Sequence, residues 1–327
     1  MTGRSCLRSP AVVSGGSLPE ATTVARFEAV VEDEARLRPG VVELCRRLGI
    51  GGELVRFADG SLPVYAVGED LVLKLYPPVH AGEAAVEAGV LDLVAGRLPV
   101  ATPRVLQVGV RDGWAYVLMS RLRGRPLGEV WPALSPAERR SVAARVGGAL
   151  AALHEVDHRG LDVLGPPCWE EFLAAQRAGC VRRQRSRGLP EAWVEQIPDF
   201  LDATPVPAGR PVLLHTEVMA EHVLVRPGAA GWEVSGLFDF EPAMRGAAEY
   251  EFAAVGLFLT RGDAGALAAL LAGYGLDRAA VGPVLSRRFL AYALLHVYSD
   301  LSTYLRLLPA PEEPTLASVA DRWFGVD

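Results

Sequence analysis

Residues 71–76 read LVLKLY, an apolar run with one charged residue, Lys74, near its centre. Six residues of this kind between turn residues predict a β-strand. Lys74 is the only lysine among the 33 lysines and arginines of the chain. Arginine has replaced lysine elsewhere, but it cannot do so where a compact ammonium must reach a point charge. We therefore expect Lys74 to bind a phosphate or to pair with a carboxylate; a chance lysine on an edge strand is the alternative.

The composition limits the classes of function. The chain has 327 residues, a net charge of −6 and a pI near 5.6, which argues against a nucleic-acid-binding protein that works through bulk positive charge. Its apolar stretches are too short for a membrane span, so we expect neither a nucleic-acid nor a membrane partner. Four cysteines without metal-ligand spacing indicate reduced thiols in a cytoplasmic protein: Cys6, Cys45, Cys168 and Cys180.

Around the Lys74 strand, the pattern changes from β-rich to helix-rich along the chain. The pattern predicts a disordered tail over residues 1–18. Over residues 19–119 it predicts a leading helix and a small antiparallel sheet with one further helix. Residues 120–327 are mostly helical, apart from a β-like stretch over 212–240. The sequence therefore predicts an α+β protein with a small β-rich lobe, a connector and a large helical lobe.

The β-like stretch carries polar residues where its predicted strands end. His215 and Glu217 follow the first strand, His222 comes five residues after Glu217, and Asp239 and Glu241 follow the last strand. Two carboxylates that face one pocket can have different roles, since one can accept a proton from a hydroxyl and the other can bind a divalent ion. With a distant lysine for phosphates, the pattern favours metal-assisted phosphoryl transfer.

The order and spacing of these residues resemble the aminoglycoside phosphotransferases, hygromycin B phosphotransferases included. The similarity covers residues 50–300. This family is in turn related to the protein kinases. It implies a bilobal, protein-kinase-like α+β fold, with ATP or GTP as phosphoryl donor and Mg²⁺ as cofactor. The pattern does not distinguish ATP from GTP.

The resemblance assigns nucleotide-binding roles to residues of the N-terminal lobe. Gly60 and Ser61 lie where the family has a hairpin that covers the nucleotide. Lys74 takes the place of the lysine that contacts the α- and β-phosphates, and Glu87 takes the place of its carboxylate partner. Met119 lies in the segment that resembles the hinge, whose backbone meets the purine.

In the C-terminal lobe, the resemblance assigns the reaction itself. His215–Thr216–Glu217 stands where the family usually reads His-Gly-Asp, so Glu217 would orient and deprotonate the acceptor hydroxyl while His215 orients the loop. Asp239 takes the place of the metal-binding aspartate. Residues 249–253 resemble the start of a family helix that usually reads Asp-Pro-x-Tyr-Asp.

Two departures from the family pattern affect the chemistry. Glu217 replaces an aspartate, which keeps the carboxylate but lengthens its reach by one methylene. His222 replaces a metal-binding asparagine, although imidazole is a poor ligand for Mg²⁺. We therefore expect His222 to act at the metal site through a water or a phosphate, with Glu241 or Glu221 supplying oxygen.

The expected acceptor is a small hydroxylated molecule. Glu170, Glu171 and Asp300 lie where the family builds its acceptor cleft, and acidic groups there suit a cationic acceptor. We expect an antibiotic of the aminoglycoside, peptide or nucleoside type. The arginine-rich run 182–187 reads as a solvated helix face, with binding of a substrate anion as the alternative.

Two other functions stay open at this stage. A nucleotide-binding pseudokinase that acts by interaction would bind nucleotide without turnover. A metabolic kinase acting on a sugar or an amino alcohol would share the same site residues, so only a survey of acceptors separates it from a resistance enzyme.

Overall fold

The structure, a computed structural model, describes residues 16–326 except 59, 208, 230 and 277–280. Most of the predicted tail, residues 1–18, lies outside the described residues. Its last residue, Leu18, is buried, and its backbone N–H donates a hydrogen bond to Asp112 Oδ2 at 2.9 Å. Leu18 therefore belongs to the folded part of the chain.

The chain divides into two compact units. The first comprises the residues up to Ala84 together with Leu106–Arg121, and the second comprises Ala85–Val105 and the residues from Leu122 onward. Residues 85–105 were assigned to the N-terminal lobe by the sequence, but they pack in the second unit. One contact that holds them there is the hydrogen bond from the Leu237 N–H to the Ala101 carbonyl, at 2.9 Å.

The first unit begins with two helices, α1 (Val24–Val31) and α2 (Glu34–Leu48), where the sequence predicted one. The break follows from Asp33, whose side chain accepts the Arg36 N–H at 3.2 Å and thereby starts a new helix. The helices precede a five-stranded sheet.

The sheet has the spatial order β1–β2–β3–β5–β4, and its middle strand carries Lys74. Lys74 lies opposite Val64 on one side and Val117 on the other, and both pairings are antiparallel. The strands are β1 (Leu54–Arg56), β2 (Val64–Val67), β3 (Leu71–Tyr76), β4 (Val105–Arg111) and β5 (Trp114–Ser120). Helix α3 (Ala81–Val94) follows β3 and carries Glu87.

The second unit is mainly helical, with two small antiparallel sheets. One sheet has the order β6–β8–β9 and the other pairs β10 with β7. The strands are β6 (Arg125–Pro126), β7 (Val212–Leu214), β8 (Val223–Gly228), β9 (Gly231–Leu237) and β10 (Met244–Gly246). Strands β6 and β10 lie outside the predicted β-like stretch, because so few residues show no period-two pattern when no longer β-like run surrounds them. The predicted α+β class is confirmed.

Ten α-helices lie wholly within the second unit in the part of the chain that the structure describes. They are α4 (Leu127–Val130), α5 (Pro136–His154), α6 (Trp169–Ser186), α7 (Glu191–Val194), α8 (Ile197–Ala203), α9 (Glu251–Ala254), α10 (Ala264–Tyr274), α11 (Pro283–Leu295), α12 (Leu301–Leu307) and α13 (Leu316–Phe324). No described helix combines the length and the apolar character needed to cross a lipid bilayer.

Helices α5 and α10 cross at very short range. A Cβ on Gly147 would lie 2.0 Å from the Leu270 carbonyl oxygen, and one on Gly273 would lie 2.1 Å from that of Ala144. Only glycine allows this approach. The crossing brings together the last residues of the two helices, His154 and Tyr274, which belong to the network described below.

Candidate functional site

Lys74 lies in the interior of the first unit. It is only 4% exposed, and its Nζ lies 5.5 Å from the centre of the Tyr76 ring. Strand β3 has a paired neighbour on each side, so the edge-strand alternative is wrong. A buried ammonium is costly unless an anion or an aromatic face compensates it. The burial of Lys74 therefore favours a role in binding an anionic group.

The other predicted nucleotide-binding residues of the first unit lie near strand ends. Gly60 has a φ of +112°, which favours glycine, in the connection between β1 and β2 that also holds the exposed Ser61. The neighbouring Asp59 lies outside the described residues. Met119 is buried in β5 opposite Val72. The roles of these residues toward a nucleotide stay predictions.

In the second unit, β7 runs directly into the predicted catalytic loop, residues 215–222. His215 in this loop is fully buried, and burial lowers the pKa of its imidazole. Its Nε2 lies 2.9 Å from the Phe238 carbonyl oxygen, which can only accept, and its Nδ1 accepts the Glu217 N–H at 3.4 Å. His215 is therefore a neutral Nε2–H tautomer, and it ties the loop to the segment before Asp239 rather than transferring protons.

Glu251, at the start of α9, fixes the backbone of the loop. It is fully buried, and its two carboxylate oxygens accept the His215 N–H at 2.8 Å and the Thr216 N–H at 2.9 Å. Thr216 has a φ of +71°, a strained conformation for a β-branched residue, and its hydroxyl donates to the Pro242 carbonyl at 3.0 Å. These bonds stabilise the strained residue that immediately precedes Glu217.

The sequence analysis did not identify Glu251 as a site residue. Its only signal was its place in the segment 249–253 that resembles a family helix start. Behind Glu251, a buried polar network continues into the helices: His154 Nε2 lies 3.5 Å from Glu251 Oε2, and His154 Nδ1 lies 2.8 Å from Tyr274 Oη. The loop is thereby connected to the crossing of α5 and α10.

His222 lies between the loop and Asp239. Its Nδ1 donates to the Glu217 carbonyl at 2.8 Å, and its Nε2 lies 3.0 Å from Asp239 Oδ2. Asp239 has a φ of +76°, and the preceding Phe238 N–H donates to the His222 carbonyl at 3.2 Å. His222 therefore joins Asp239 to the catalytic loop through both ring nitrogens and positions the carboxylate.

Three carboxylates meet beside this histidine. One oxygen from each of Glu87, Asp239 and Glu241 lies within 4.8 Å of the others, which makes these residues a possible cation site in the described part of the chain. Two oxygens bound to one Mg²⁺ are at most about 4.2 Å apart, so a small closure would bring all three onto one ion. Glu87 also accepts the Phe240 N–H at 3.3 Å. The oxygen donors fit a hard cation. His222, which we expected at the metal site through a water or a phosphate, is not among them.

The three acidic residues predicted for the acceptor have different surroundings. Asp300 is the N-cap of α12, where Oδ1 accepts the Thr303 N–H at 2.9 Å and Oδ2 lies 3.6 Å from Arg187. Glu170 and Glu171 are exposed in the first turn of α6. Asp300 is thus engaged in capping and pairing, whereas Glu171 and Glu170, which accepts a hydrogen bond from the Cys168 thiol at 3.5 Å, are exposed.

Residues 53–284, well over half of the chain, match the family described as the Phosphotransferase enzyme family. The structure is also similar to the GDP complex of aminoglycoside 2'-phosphotransferase-IIIa, with a TM-score of 0.62 and 17% identity, covering 78% of this chain and 86% of that chain. The streptomycin–ATP ternary complex of APH(2")-IIa gives a TM-score of 0.58 and 18% identity, covering 76% of this chain and 86% of that one.

A third similar structure is the macrolide 2'-phosphotransferase MphH from Brachybacterium faecium. Its TM-score is 0.57 at 20% identity, and the match covers 84% of this chain and 99% of that chain. At such identities the similarity shows the fold, which is protein-kinase-like. The predicted fold and the resemblance noted in the sequence are therefore confirmed.

Proposed function

Because this chain belongs to the Phosphotransferase enzyme family, we propose that it transfers the γ-phosphoryl group of ATP or GTP to a hydroxyl group of a small molecule. The observation that carries the proposal is the link between Glu217 and Asp239 in the second unit. Glu217 lies in a loop whose backbone Glu251 fixes, and His222 connects that loop to Asp239. In this arrangement, the Glu217 carboxylate can accept a proton and the Asp239 carboxylate can bind a cation.

In the proposed reaction, the acceptor oxygen attacks the γ-phosphorus. The new oxygen–phosphorus bond forms while the bond from the γ-phosphorus to the bridging oxygen breaks, and the hydroxyl proton passes to Glu217. The transition state is loose, so positioning and electrostatics account for most of the rate. A glutamate can serve in place of the family's aspartate, since the backbone before it is held in a defined, strained conformation.

The remaining residues are assigned to the nucleotide. Asp239 and Glu241, with Glu87, would hold Mg²⁺, which supplies neutralisation of phosphate charge when bound. Lys74 would contact phosphate oxygens as a compact positive charge. The predicted pairing of Glu87 with Lys74 is kept as part of this proposal.

We further propose that the acceptor is an antibiotic. The similar structures carry the names of aminoglycoside and macrolide phosphotransferases, and one of them contains streptomycin. These names support a hydroxylated antibiotic as the acceptor class.

The test is a transfer assay on the purified full chain. The protein is incubated with Mg²⁺ and either ATP or GTP, together with aminoglycoside, macrolide, peptide and nucleoside antibiotics, and mass spectrometry follows the addition of one phosphoryl group. Transfer that disappears in Asp239→Asn supports the proposal. Nucleotide binding without transfer to any antibiotic, sugar or amino alcohol would identify a pseudokinase, and transfer to sugars or amino alcohols alone would identify a metabolic kinase.

A further inference from the structure

Four buried polar atoms of the second unit make no hydrogen bond within the described residues. They are Trp169 Nε1, Arg183 Nε, Tyr250 Oη and His296 Nε2. Glu249 Oε2 and Arg288 Nε share this property, but they belong to one ion pair, which is 2.8 Å long. Leaving a buried polar group without a partner is costly, so a set of four requires an explanation.

Tyr250 connects the members of this set. Its ring meets Trp169 edge-on, with 5.2 Å between ring centroids, and stacks on His296 at 5.1 Å. Burial raises the pKa of Tyr250, and the charges of Arg183 and Glu217 also act on it. Both charged side chains are therefore within Coulombic reach of the Tyr250 hydroxyl.

The set also borders the predicted catalytic loop. His296 Nε2 faces the backbone of Thr216, the residue before Glu217, without a well-formed hydrogen bond. Tyr250 Oη faces the backbone of Val297 in the same way. A ligand that contacts these groups would consequently lie next to the carboxylate that we assign to the acceptor hydroxyl.

All four groups can donate a hydrogen bond. The indole N–H of Trp169 and the Nε–H of Arg183 are donors only, and the Tyr250 hydroxyl carries a proton. Burial lowers the pKa of His296 to about 4, and its Nδ1 accepts the Tyr298 N–H at 3.3 Å, so its Nε2 carries the proton. Ammonium groups are donors only and cannot satisfy these groups. The oxygens of a carboxylate or a phosphate can, and the positive charge of Arg183 favours an anionic oxygen over a neutral one.

Arg183 is the member of this set that borders an open groove. With Gln176, Arg182 and Arg187 it lines an open groove of about 660 Å³ along α6. Its guanidinium is fixed by hydrogen bonds to Gln176 Oε1 at 3.1 Å and to the Leu294 carbonyl at 3.0 Å, which leave Nε without a partner. The only acidic side chain paired with these arginines among the described residues is Asp300, 3.6 Å from Arg187.

We propose that the acceptor carries an anionic group, a carboxylate or a phosphate, which binds at Arg183 beside Tyr250 and His296 while the hydroxyl faces Glu217. This inference rests on the proposed phosphotransferase function and narrows its acceptor class. It replaces the cationic acceptor that Glu170, Glu171 and Asp300 suggested in the sequence.

The experiment compares matched acceptors that differ in charge. N-acetylserine is compared with N-acetylserinamide for the carboxylate, glycerol 3-phosphate with glycerol for the phosphate, and kanamycin represents a polycation. Binding to the full chain in excess ADP is measured by calorimetry, and transfer from ATP or GTP by mass spectrometry. The variants are Arg183→Gln, Arg183→Lys and Trp169→Phe, with Arg185→Gln as the control, since Arg185 is exposed and outside the groove.

We expect the anionic member of at least one pair to bind roughly 10- to 100-fold more tightly than its neutral partner. Arg183→Gln should remove this preference, Arg183→Lys should keep part of it, and Arg185→Gln should keep all of it. Trp169→Phe, which breaks no hydrogen bond of the protein, should weaken anion binding even if Arg183→Gln misfolds. A preference for N-acetylserine over its amide indicates a carboxylate, and a preference for glycerol 3-phosphate over glycerol indicates a phosphate.

Equal binding within both pairs, or tighter binding of kanamycin that ignores Arg183→Gln, would overturn the inference. The proposed function fails separately, by absence of any phosphoryl transfer and of any nucleotide binding that depends on Lys74. The calorimetric comparison decides the anion preference in that case as well, because it needs no turnover.

Discussion

Strand β3 and the predicted catalytic loop both present charged groups that we assign to the reaction, but they are specified differently. Lys74 lies in a regular strand, and its position follows from pairing with Val64 and Val117 on the neighbouring strands. Glu217 lies in a loop whose preceding residue, Thr216, has a φ of +71°, and Asp239 has a φ of +76°. One region uses ordinary backbone geometry. In the other, the backbone has a positive φ at Thr216, which precedes Glu217, and at Asp239, which His222 joins to the loop.

The difference shows where strain is compensated. The loop is held by contacts between residues far apart in the chain: Glu251 with the loop backbone, and His215 with the Phe238 carbonyl. A regular strand tolerates many sequences, so a substitution in β3 should change chemistry without changing the backbone. In the loop, the position of the reacting carboxylate depends on the backbone geometry. Substitutions that change only the carboxylate, or only the contacts that hold the backbone, test this dependence.

The largest effect is expected for Asp239→Asn. Loss of the carboxylate removes the main ligand of the proposed cation site, and turnover should fall to the detection limit, roughly 10⁴-fold or more. The amide keeps the size of the side chain and can still bond to His222, so the melting temperature should stay within a few degrees of wild type. A steady-state assay and a thermal melt are the measurements. A large drop in melting temperature would show that Asp239 acts mainly through the fold.

Glu217→Gln comes next. It keeps the shape and removes the charge of the proposed proton acceptor, and kcat should fall roughly 10²–10⁴-fold. Glu217→Asp restores the family's usual residue but shortens its reach in a loop whose backbone stays strained at Thr216, so it should be impaired rather than improved. Wild-type turnover in Glu217→Gln, alongside an inactive Asp239→Asn, would place the base elsewhere.

The same contrast explains what could be predicted from the sequence. The strand around Lys74 was predicted correctly because a strand has a local pattern. Lys74 itself stands out as one lysine among many arginines, and its role toward a phosphate stays a prediction. His215, Glu217 and Asp239 were singled out because they follow predicted strands, and a resemblance in order and spacing gave them their predicted roles. Glu251 was not identified as a site residue, since its hydrogen bonds to His215 and Thr216 span more than thirty residues and leave no local pattern. His222 was expected at the metal, but its orientation toward Asp239 depends on tertiary contacts.

Lys74→Arg tests the regular region. The guanidinium is larger and forked, and β3 is packed between two strands, so we expect a loss of roughly 10²–10³-fold in kcat/KM, nearly as large as for Lys74→Ala. Hydrogen exchange in the sheet should change little. Retention of most of the activity in Lys74→Arg would mean that the survival of this single lysine has no chemical cause.

Glu251→Gln tests the irregular region without touching a reacting group. One amide oxygen cannot replace two carboxylate oxygens that accept backbone N–H groups, so the free energy of unfolding should fall by roughly 3–5 kcal/mol. Turnover should fall as well, because the backbone before Glu217 is released. Chemical denaturation and kinetics measure the two effects, with the exposed Glu155→Gln as control. Unchanged stability would show that the loop does not depend on Glu251.

The smallest effect is a pH dependence of stability that arises next to the loop. Burial lowers the pKa of His296 to about 4 from its usual 6.5, and the pKa of His215 is lowered in the same direction. In the unfolded chain, His296 therefore takes up a proton as the pH falls below 6.5, whereas in the folded protein it does so only near pH 4. This contribution to stability is complete above pH 6.5 and is lost as the pH falls toward 4; for His296 it amounts to at most about 3 kcal/mol. Denaturation between pH 4 and 7 should show a steeper slope in wild type and in the control His158→Gln than in His296→Gln. Identical slopes in all three would mean that His296 is not buried in its neutral form, and the donor that we assign to its Nε2 would lose its support.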